Sequence, residues 1–185
     1  VIENAEEAKI AKEFYLLTNK PVMYVCNVDE SSALSGNAYV DALREAVNGE
    51  DAEILVIAAK TESEIAELES FEEREMFLRE IGLESSGLVR LIQSAYSLLS
   101  LQTFFTVGEP EVRAWTIKKG AKALKAAGVI HSDFERGFIR AEVIKYDDYV
   151  ALGSETACRA AGKISSEGKE YVVQDGDILS IRFNV

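Results

Sequence analysis

The stretch Pro21-Val22-Met23-Tyr24-Val25-Cys26-Asn27-Val28-Asp29-Glu30 decides the fold prediction for this chain. Its first six side chains are apolar or aromatic, and the proline stands at the start, where a β-strand tolerates it. Such an uninterrupted run is typical of a parallel strand that is covered on both faces. We therefore predict a buried strand over residues 21–26, followed at once by the polar side chains of Asn27, Asp29 and Glu30.

A second apolar run, Ile54-Leu55-Val56-Ile57-Ala58-Ala59, comes after a helical pattern that starts behind Asn37. The run is too short for a helix and is rich in branched residues, which predicts a second strand. A strand, a helix and a strand in this order indicate a βαβ unit with a parallel sheet. Ligands bind beyond the carboxyl ends of such strands, where Asn27 and Glu30 would lie. The alternative is that the first strand simply ends in polar turn residues.

Composition excludes several classes of protein. An apolar fraction of 48% argues against a disordered chain, and the lack of a long uncharged apolar run argues against a membrane span. The two cysteines, Cys26 and Cys158, are far apart and in apolar surroundings, which predicts reduced core residues of a cytoplasmic protein. We expect no metal site, and we expect the single histidine, His131, to shape a loop and not to catalyse.

Charge is distributed unevenly along the chain. Residues 1–100 hold 20 Asp and Glu against 8 Lys and Arg, whereas residues 101–185 hold 12 of each. This step predicts a boundary near residue 100 and two surfaces with different partners. The acidic half is a poor binder of nucleic-acid phosphates. The second half carries a cluster of positive side chains that could face RNA or could be a solvated helix face: Arg113, Lys118, Lys119, Lys122 and Lys125.

Local patterns predict further elements. Thr61-Glu62-Ser63-Glu64 has the form of a capping box at the start of a short helix. Residues 103–107 and 112–117 read as one hairpin, and Asp175-Gly176 between two apolar runs predicts another. The two glycines Gly120 and Gly128 are predicted to bracket a short helix. Together the residues after 101 predict a small mixed sheet with a helix across one face, which is the β-grasp layout.

Four segments of the chain resemble the YchF and Obg-like ATPase family: Phe104–Gly108, Glu111–Ile117, Gly128–Val143 and Tyr171–Asp177. The resemblance covers essentially the whole chain, as the C-terminal half of the family. It implies that residues 101–184 are a TGS domain of the β-grasp, ubiquitin-like class. Residues 1–100 are similar to the C-terminal part of an Obg-type G domain, a Ras-like P-loop NTPase fold, with residues 1–19 as the exit from its inserted helical region.

The resemblance also implies a nucleotide site. Asn27-Val28-Asp29-Glu30 matches the N-x-x-E motif of the family, which replaces the N-K-x-D of ordinary GTPases and is expected to favour ATP or to accept both nucleotides. Asn27 would bond the purine through its amide, and Val28 would pack on the base and ribose. The segment Ala58-Ala59-Lys60 matches the loop that reaches the base from the other side, mainly through backbone N–H groups.

One part of the family pattern is missing from these residues. The chain contains no G-x-x-x-x-G-K-[ST] motif, so we expect a fragment that hydrolyses nothing alone and has no catalytic residue. The full-length protein is expected to use ATP or GTP with Mg²⁺. Expected partners are a purine nucleotide and the ribosome or its RNA, but neither DNA nor a membrane. The alternative is a non-catalytic β-grasp module that binds RNA or protein.

Overall fold

The computed structural model describes residues 4–50, 52–109 and 111–184. They belong to two compact units with the bounds Val1–Leu99 and Ser100–Val185. Within the described ranges, no helix has both the length and the apolar character needed to cross a membrane.

The first unit combines two strands with helices. Its elements are α1 (Ala5–Glu13), β1 (Met23–Asn27), α2 (Ala38–Ala46), β2 (Glu53–Ile57), α3 (Ala59–Glu67), α4 (Phe71–Glu80) and α5 (Gly87–Leu98). Short 3-10 turns lie at Leu17–Asn19 and Glu30–Ser32.

β1 and β2 are parallel, as the βαβ pattern predicts. Their register pairs Asn27 with Ile57, so the carboxyl ends of both strands lie at the same edge. The prediction that the first strand is covered on both faces is wrong for the described residues, because the side chain of Val25 is 43% exposed. The helix α5 packs against β2, where Leu55 and Val56 are buried. The strand β2 is therefore better covered than β1.

The predicted capping box at the start of α3 does not form. The helix begins at Ala59, two residues before Thr61, and Thr61 is buried within its first turn. The carboxylate of Glu62 instead accepts hydrogen bonds from Gly87 N at 2.6 Å and Leu88 N at 3.4 Å. A carboxylate is favourable at a helix N-terminus, so Glu62 ties α3 to the start of α5.

The second unit is a five-stranded mixed sheet with helices. Its elements are β3 (Leu101–Val107), β4 (Val112–Lys118), α6 (Ala123–Ile130), α7 (Ser132–Arg136), β5 (Phe138–Ile144), α8 (Tyr146–Leu152), α9 (Glu155–Ala160), β6 (Ile164–Glu167) and β7 (Ile178–Phe183). The strand order is β4-β3-β7-β5-β6, and only the β3–β7 pair is parallel among the pairs of this sheet that the structure describes.

Apolar side chains are buried on both faces of this sheet. One face packs against α6 and includes the fully buried Phe104, together with Val143 and Leu179. Neighbouring positions on a strand point to opposite faces, so Ile144 and Ile178 lie on the other face. There they pack with the buried Cys158 of α9 and complete a second, smaller cluster. A helix across one face of a mixed sheet agrees with the sequence prediction.

The predicted Asp175-Gly176 hairpin is wrong. β7 pairs with β5 in an antiparallel register and meets β3 in parallel at Ile178. The segment before the turn lies beside α6, where Ala123 N donates to Tyr171 O at 2.8 Å. The turn itself docks on β3, because Gly176 N donates to Thr103 O at 2.8 Å.

A buried carboxylate explains why this segment is a loop. Asp177 is fully buried and accepts hydrogen bonds from Tyr171 Oη at 2.7 Å and from Gln174 N at 2.8 Å. Lys145 Nζ lies 2.6 Å from its other oxygen and neutralises the charge. A buried charge requires such partners. The residues that flank the turn are therefore held around Asp177, and they cannot pair with each other as a ladder.

Gly137 lies where β5 begins, and a side chain there would collide with the end of β7. A Cβ atom at this position would stand 2.3 Å from the backbone oxygen of Asn184, whose N–H donates to Gly137 O. We expect Gly137→Ala to lower the free energy of unfolding by about 2 kcal/mol, because backbone must move. Gly168→Ala, with open space around its Cβ, is the control and should change it by less than about 0.5 kcal/mol in urea unfolding. Equal effects of the two variants would contradict this packing.

Candidate functional site

Asn27 joins the ends of the two parallel strands. It is the last residue of β1, and its Oδ1 accepts a hydrogen bond from Ala59 N, the first residue of α3, at 3.0 Å. The next residue, Val28, donates its N–H to Ile57 O at 2.8 Å. The two sequence segments predicted to meet a ligand are 32 positions apart at this bond, and the structure brings them to one edge.

The two acidic residues after Asn27 have different positions. Asp29 precedes the 3-10 turn and caps it, because its Oδ1 accepts from Ser32 N and from Ser31 Oγ, each at 2.9 Å. Hydrogen bonding from Ser32, and then from Ser31, lowers the pKa of Asp29 below its usual value. Glu30 is the first residue of the turn and is exposed. The carboxylate of Glu30 is thus the one that remains open to a ligand.

The second segment, Ala58-Ala59-Lys60, offers backbone N–H groups to a ligand and not an apolar side chain. Ala58 is buried, so its side chain cannot touch a ligand, whereas Ala59 and Lys60 are exposed. The Lys60 side chain extends into solvent, with its Nζ 3.8 Å from Glu64. Lys60 N lies in the first turn of α3, where N–H groups have no intrahelical acceptor and the helix dipole is positive.

This edge suits a planar ligand with hydrogen-bonding nitrogens better than it suits a metal. One lone pair of the Asn27 oxygen is used by Ala59 N, while the Nδ2 group keeps two donors. Asp29 Oδ1 is already used to cap the turn and is not free to bind a metal ion such as Mg²⁺. Nowhere in the part of the chain that the structure describes do three or more His, Cys, Asp or Glu side chains form a group that could hold a metal ion.

The predicted positive cluster of the second unit is partly neutralised. Lys122 forms an ion pair with Glu170, and Lys125 forms one with Glu135. Arg113 lies over the ring of Trp115, with its guanidinium carbon 4.1 Å from the ring centroid. The members of the cluster that lie at the end of β4 and in the turn after it are Lys118 and Lys119.

A different positive cluster was missed from the sequence. Arg140, Arg159 and Arg182 surround Glu142, with Nη2 atoms at 3.5, 2.9 and 3.0 Å from its carboxylate oxygens. Hydrogen bonds from Arg182, and then from Arg159, lower the pKa of Glu142 from its usual 4.5 to about 2. These residues come from β5, α9 and β7, and only their tertiary arrangement brings them together. The one sequence signal was the i, i+2 spacing of Arg140 and Glu142 on one strand face.

His131 caps a short helix. Its Nδ1 accepts a hydrogen bond from Asp133 N at 3.2 Å at the start of α7, which agrees with the predicted loop-shaping role.

Comparisons with known proteins place this chain beside a family of ATPases. Residues 101–184 match a family model described as YchF-GTPase_C, protein of unknown function (DUF933). The chain is 58% identical over 182 residues to the Ribosome-binding ATPase YchF of Bacillus subtilis (strain 168), covering 97% of this chain and 50% of that protein. It is 44% identical over 184 residues to Obg-like ATPase 1 of Rattus norvegicus, covering 98% and 46%.

A solved structure agrees with these matches. The structure of the Schizosaccharomyces pombe YchF GTPase is similar to this chain with a TM-score of 0.82 and 36% identity, over 97% of this chain and 48% of that one. The chain spans about half the length of the curated relatives that it matches.

The arginine cluster gives a pH dependence whose sign follows from Glu142. Because its pKa in the folded state is lowered, Glu142 stabilises the fold above its unfolded value of 4.5 and loses this effect as the pH falls towards about 2. We expect the stability difference between the wild type and Glu142→Gln in urea unfolding to be constant above about pH 5 and to shrink below pH 4.5. The control is Glu109→Gln, at an exposed turn. A difference that does not depend on pH would contradict the role of the charge.

Proposed function

The chain belongs to the YchF and Obg-like ATPase family, and on that premise we propose that it is the base-recognition portion of a ribosome-associated cytoplasmic ATPase. In this proposal the ends of β1 and β2 contact the purine of ATP or GTP. The second unit is, in this proposal, a TGS domain of the β-grasp class that binds the ribosome. The relatives reported above, a ribosome-binding ATPase and an Obg-like ATPase, support both halves of the proposal.

One hydrogen bond carries the nucleotide part of the proposal. Asn27 Oδ1 and Ala59 N are 3.0 Å apart, which holds the N-x-x-E segment against the start of α3. The amide of Asn27 is therefore oriented by the protein before a ligand arrives, and its Nδ2 group is left to donate. The N7 atom of a purine is an acceptor of the required kind. The backbone N–H of the exposed residue Lys60 and the half-buried side chain of Val28 would complete the contact with the base.

The choice between adenine and guanine rests on Glu30 in this proposal. Both purines carry N7, so a donor from Asn27 does not separate them. Guanine differs from adenine by its N1–H and 2-amino donors. In N-K-x-D proteins, an aspartate accepts hydrogen bonds from these two groups. Here Asp29 is used to cap the turn, and the longer side chain of Glu30 takes the fourth position. We propose that this arrangement removes the guanine preference and lets ATP bind.

The phosphates have no cradle among these 185 residues, because no P-loop motif is present. Phosphate contacts supply much of the binding energy of a nucleotide. We therefore propose that this chain alone binds nucleotides weakly, through the base, and does not hydrolyse them. The net charge of −12, all of it in residues 1–100, works against tight binding of a polyphosphate.

A second candidate function is a non-catalytic module that binds RNA or protein. The compact mixed sheet of the second unit, with α6 across one face, favours it. ATP binding at the β1–β2 edge would decide against it.

Two substitutions at Asn27 separate its role in the fold from its role in binding. Asn27→Asp keeps an acceptor for Ala59 N and removes the NH₂ donor, whereas Asn27→Ala removes both. In the wild type, we expect ATP to shift the NMR signals of the Val28, Ala59 and Lys60 amides without saturation at about 1 mM. Asn27→Asp should abolish most of this response while the signals of the free protein stay in place.

The control for the added charge is Asn48→Asp, an exposed position behind α2. It should respond to ATP like the wild type. A full ATP response in Asn27→Asp, or shifts that avoid these three amides, would refute the proposed base contact.

Shortening the acidic side chain should change the base preference. We expect Glu30→Asp to raise the affinity for GTP relative to ATP on the order of tenfold, or about 1.4 kcal/mol, because a shorter carboxylate can accept from guanine. The measurement is the ratio of GTP-induced to ATP-induced amide shifts at equal concentration. Glu45→Asp, on the exposed surface of α2, is the matched control. An unchanged ratio in Glu30→Asp would remove Glu30 from base selection.

A further inference from the structure

The face of the second sheet that packs against α9 carries three arginines around one carboxylate. Glu142 lies near the middle of β5, and its side chain is 11% exposed beneath the arginines. The side chains of Arg140, Arg159 and Arg182 are 50%, 53% and 48% exposed. Each guanidinium group therefore contacts Glu142 on one side and is exposed to solvent on the other.

Each guanidinium uses a single nitrogen for these contacts. Arg140, Arg159 and Arg182 all approach Glu142 through Nη2, and Arg159 Nη2 also reaches Glu155 at 3.0 Å. In the described residues, the Nε and Nη1 donors of all three have no protein acceptor. Three positive charges face two carboxylates, so the cluster keeps a formal charge of +1 and most of its N–H donors.

Glu142 also orders the arginines in advance. Long side chains lose rotamer freedom when they bind, and that loss weakens binding. Here the bonds to Glu142 hold Arg159 and Arg182 at 2.9 and 3.0 Å, so part of the ordering is already done in the free protein. The planar fork of arginine matches the oxygens of a phosphate in a bidentate way.

We propose that Arg140, Arg159 and Arg182 form a binding site for the phosphodiester backbone of RNA, and that this face contacts ribosomal RNA. The assignment rests on the ribosome association proposed above and names its surface. The lysine cluster, in which Lys122 and Lys125 are paired with glutamates, is the alternative surface, and the test below separates it from the arginines.

The neighbours of the cluster favour RNA over an acidic protein segment. In the sheet register, Glu142 lies opposite Ser180 of β7 and Ser166 of β6. Small hydroxyl side chains let a sugar–phosphate backbone approach the sheet closely and can donate to it. A protein partner would need a central apolar or aromatic anchor, and these two positions supply none. The acidic residues 1–100 repel RNA, so a local cluster must provide the contact.

The test measures binding of a fluorescein-labelled single-stranded RNA of mixed sequence to the whole chain, by anisotropy at several salt concentrations. We expect Arg140→Gln and Arg182→Gln each to weaken binding about three- to tenfold and to reduce the slope of log K against log salt by about 0.7. Arg136→Gln is the control, because Arg136 is also an exposed, carboxylate-paired arginine of this unit. It should bind RNA like the wild type.

A purely structural role is separated by stability. Arg140 makes the longest contact, 3.5 Å, so Arg140→Gln should leave the urea midpoint unchanged while it weakens RNA binding. The proposal is overturned if both variants bind RNA as Arg136→Gln does. It is also overturned if binding is lost only when Lys118, Lys119, Lys122 and Lys125 are all changed to Gln, or if poly-glutamate binds the cluster and RNA does not.

Purified ribosomes distinguish failure of this site from failure of the proposed function. If the Arg140→Gln and Arg182→Gln variants bind ribosomes as well as the wild type does, only the arginine site is refuted. A wild-type chain that binds neither RNA nor ribosomes would refute both the site and the ribosome association.

Discussion

The hydrogen bond between Ala59 N and Asn27 Oδ1 is the contact on which the candidate site depends. The parallel register brings the two strand ends to one edge, and this bond, together with the one from Val28 N to Ile57 O, holds the segments that follow them. Ala59 N is one of the first N–H groups of α3, which have no acceptor within the helix. The protein therefore uses the carbonyl end of one side chain for its own structure and leaves the amino end for a ligand. In the proposed function, recognition of the base and local folding would depend on the same residue.

This sharing explains how far sequence reasoning could go. The apolar run before Asn27 and the second run before Lys60 predicted the strands and the common edge. They could not show which side-chain atom of Asn27 forms a hydrogen bond within the protein. Nor could they show that Asp29 would turn back onto Ser31 and Ser32. Both outcomes are decided by hydrogen bonds whose geometry is fixed only after the backbone has folded.

The errors have a common physical origin in tertiary contacts that outweigh local propensity. Asp175-Gly176 is a favourable turn for a hairpin, yet the buried Asp177 holds its neighbours in a loop. Thr61 suits a helix cap by type, but it is buried inside α3. The arginines around Glu142 are spread over 43 positions of sequence, so no local pattern could reveal them. The strand β6, Ile-Ser-Ser-Glu, has too little alternation to be recognised.

The unequal distribution of buried apolar clusters has a consequence for how the chain comes apart. Both clusters that the structure defines lie in the second unit. The first unit relies on a parallel pair of five-residue strands, and two-stranded sheets are marginal by themselves. Local opening should therefore start in β1 and β2, whose amide protons exchange with solvent sooner than those of β5 and β7. The unit that contains the proposed base contact is therefore expected to open more readily than the unit that carries the arginines.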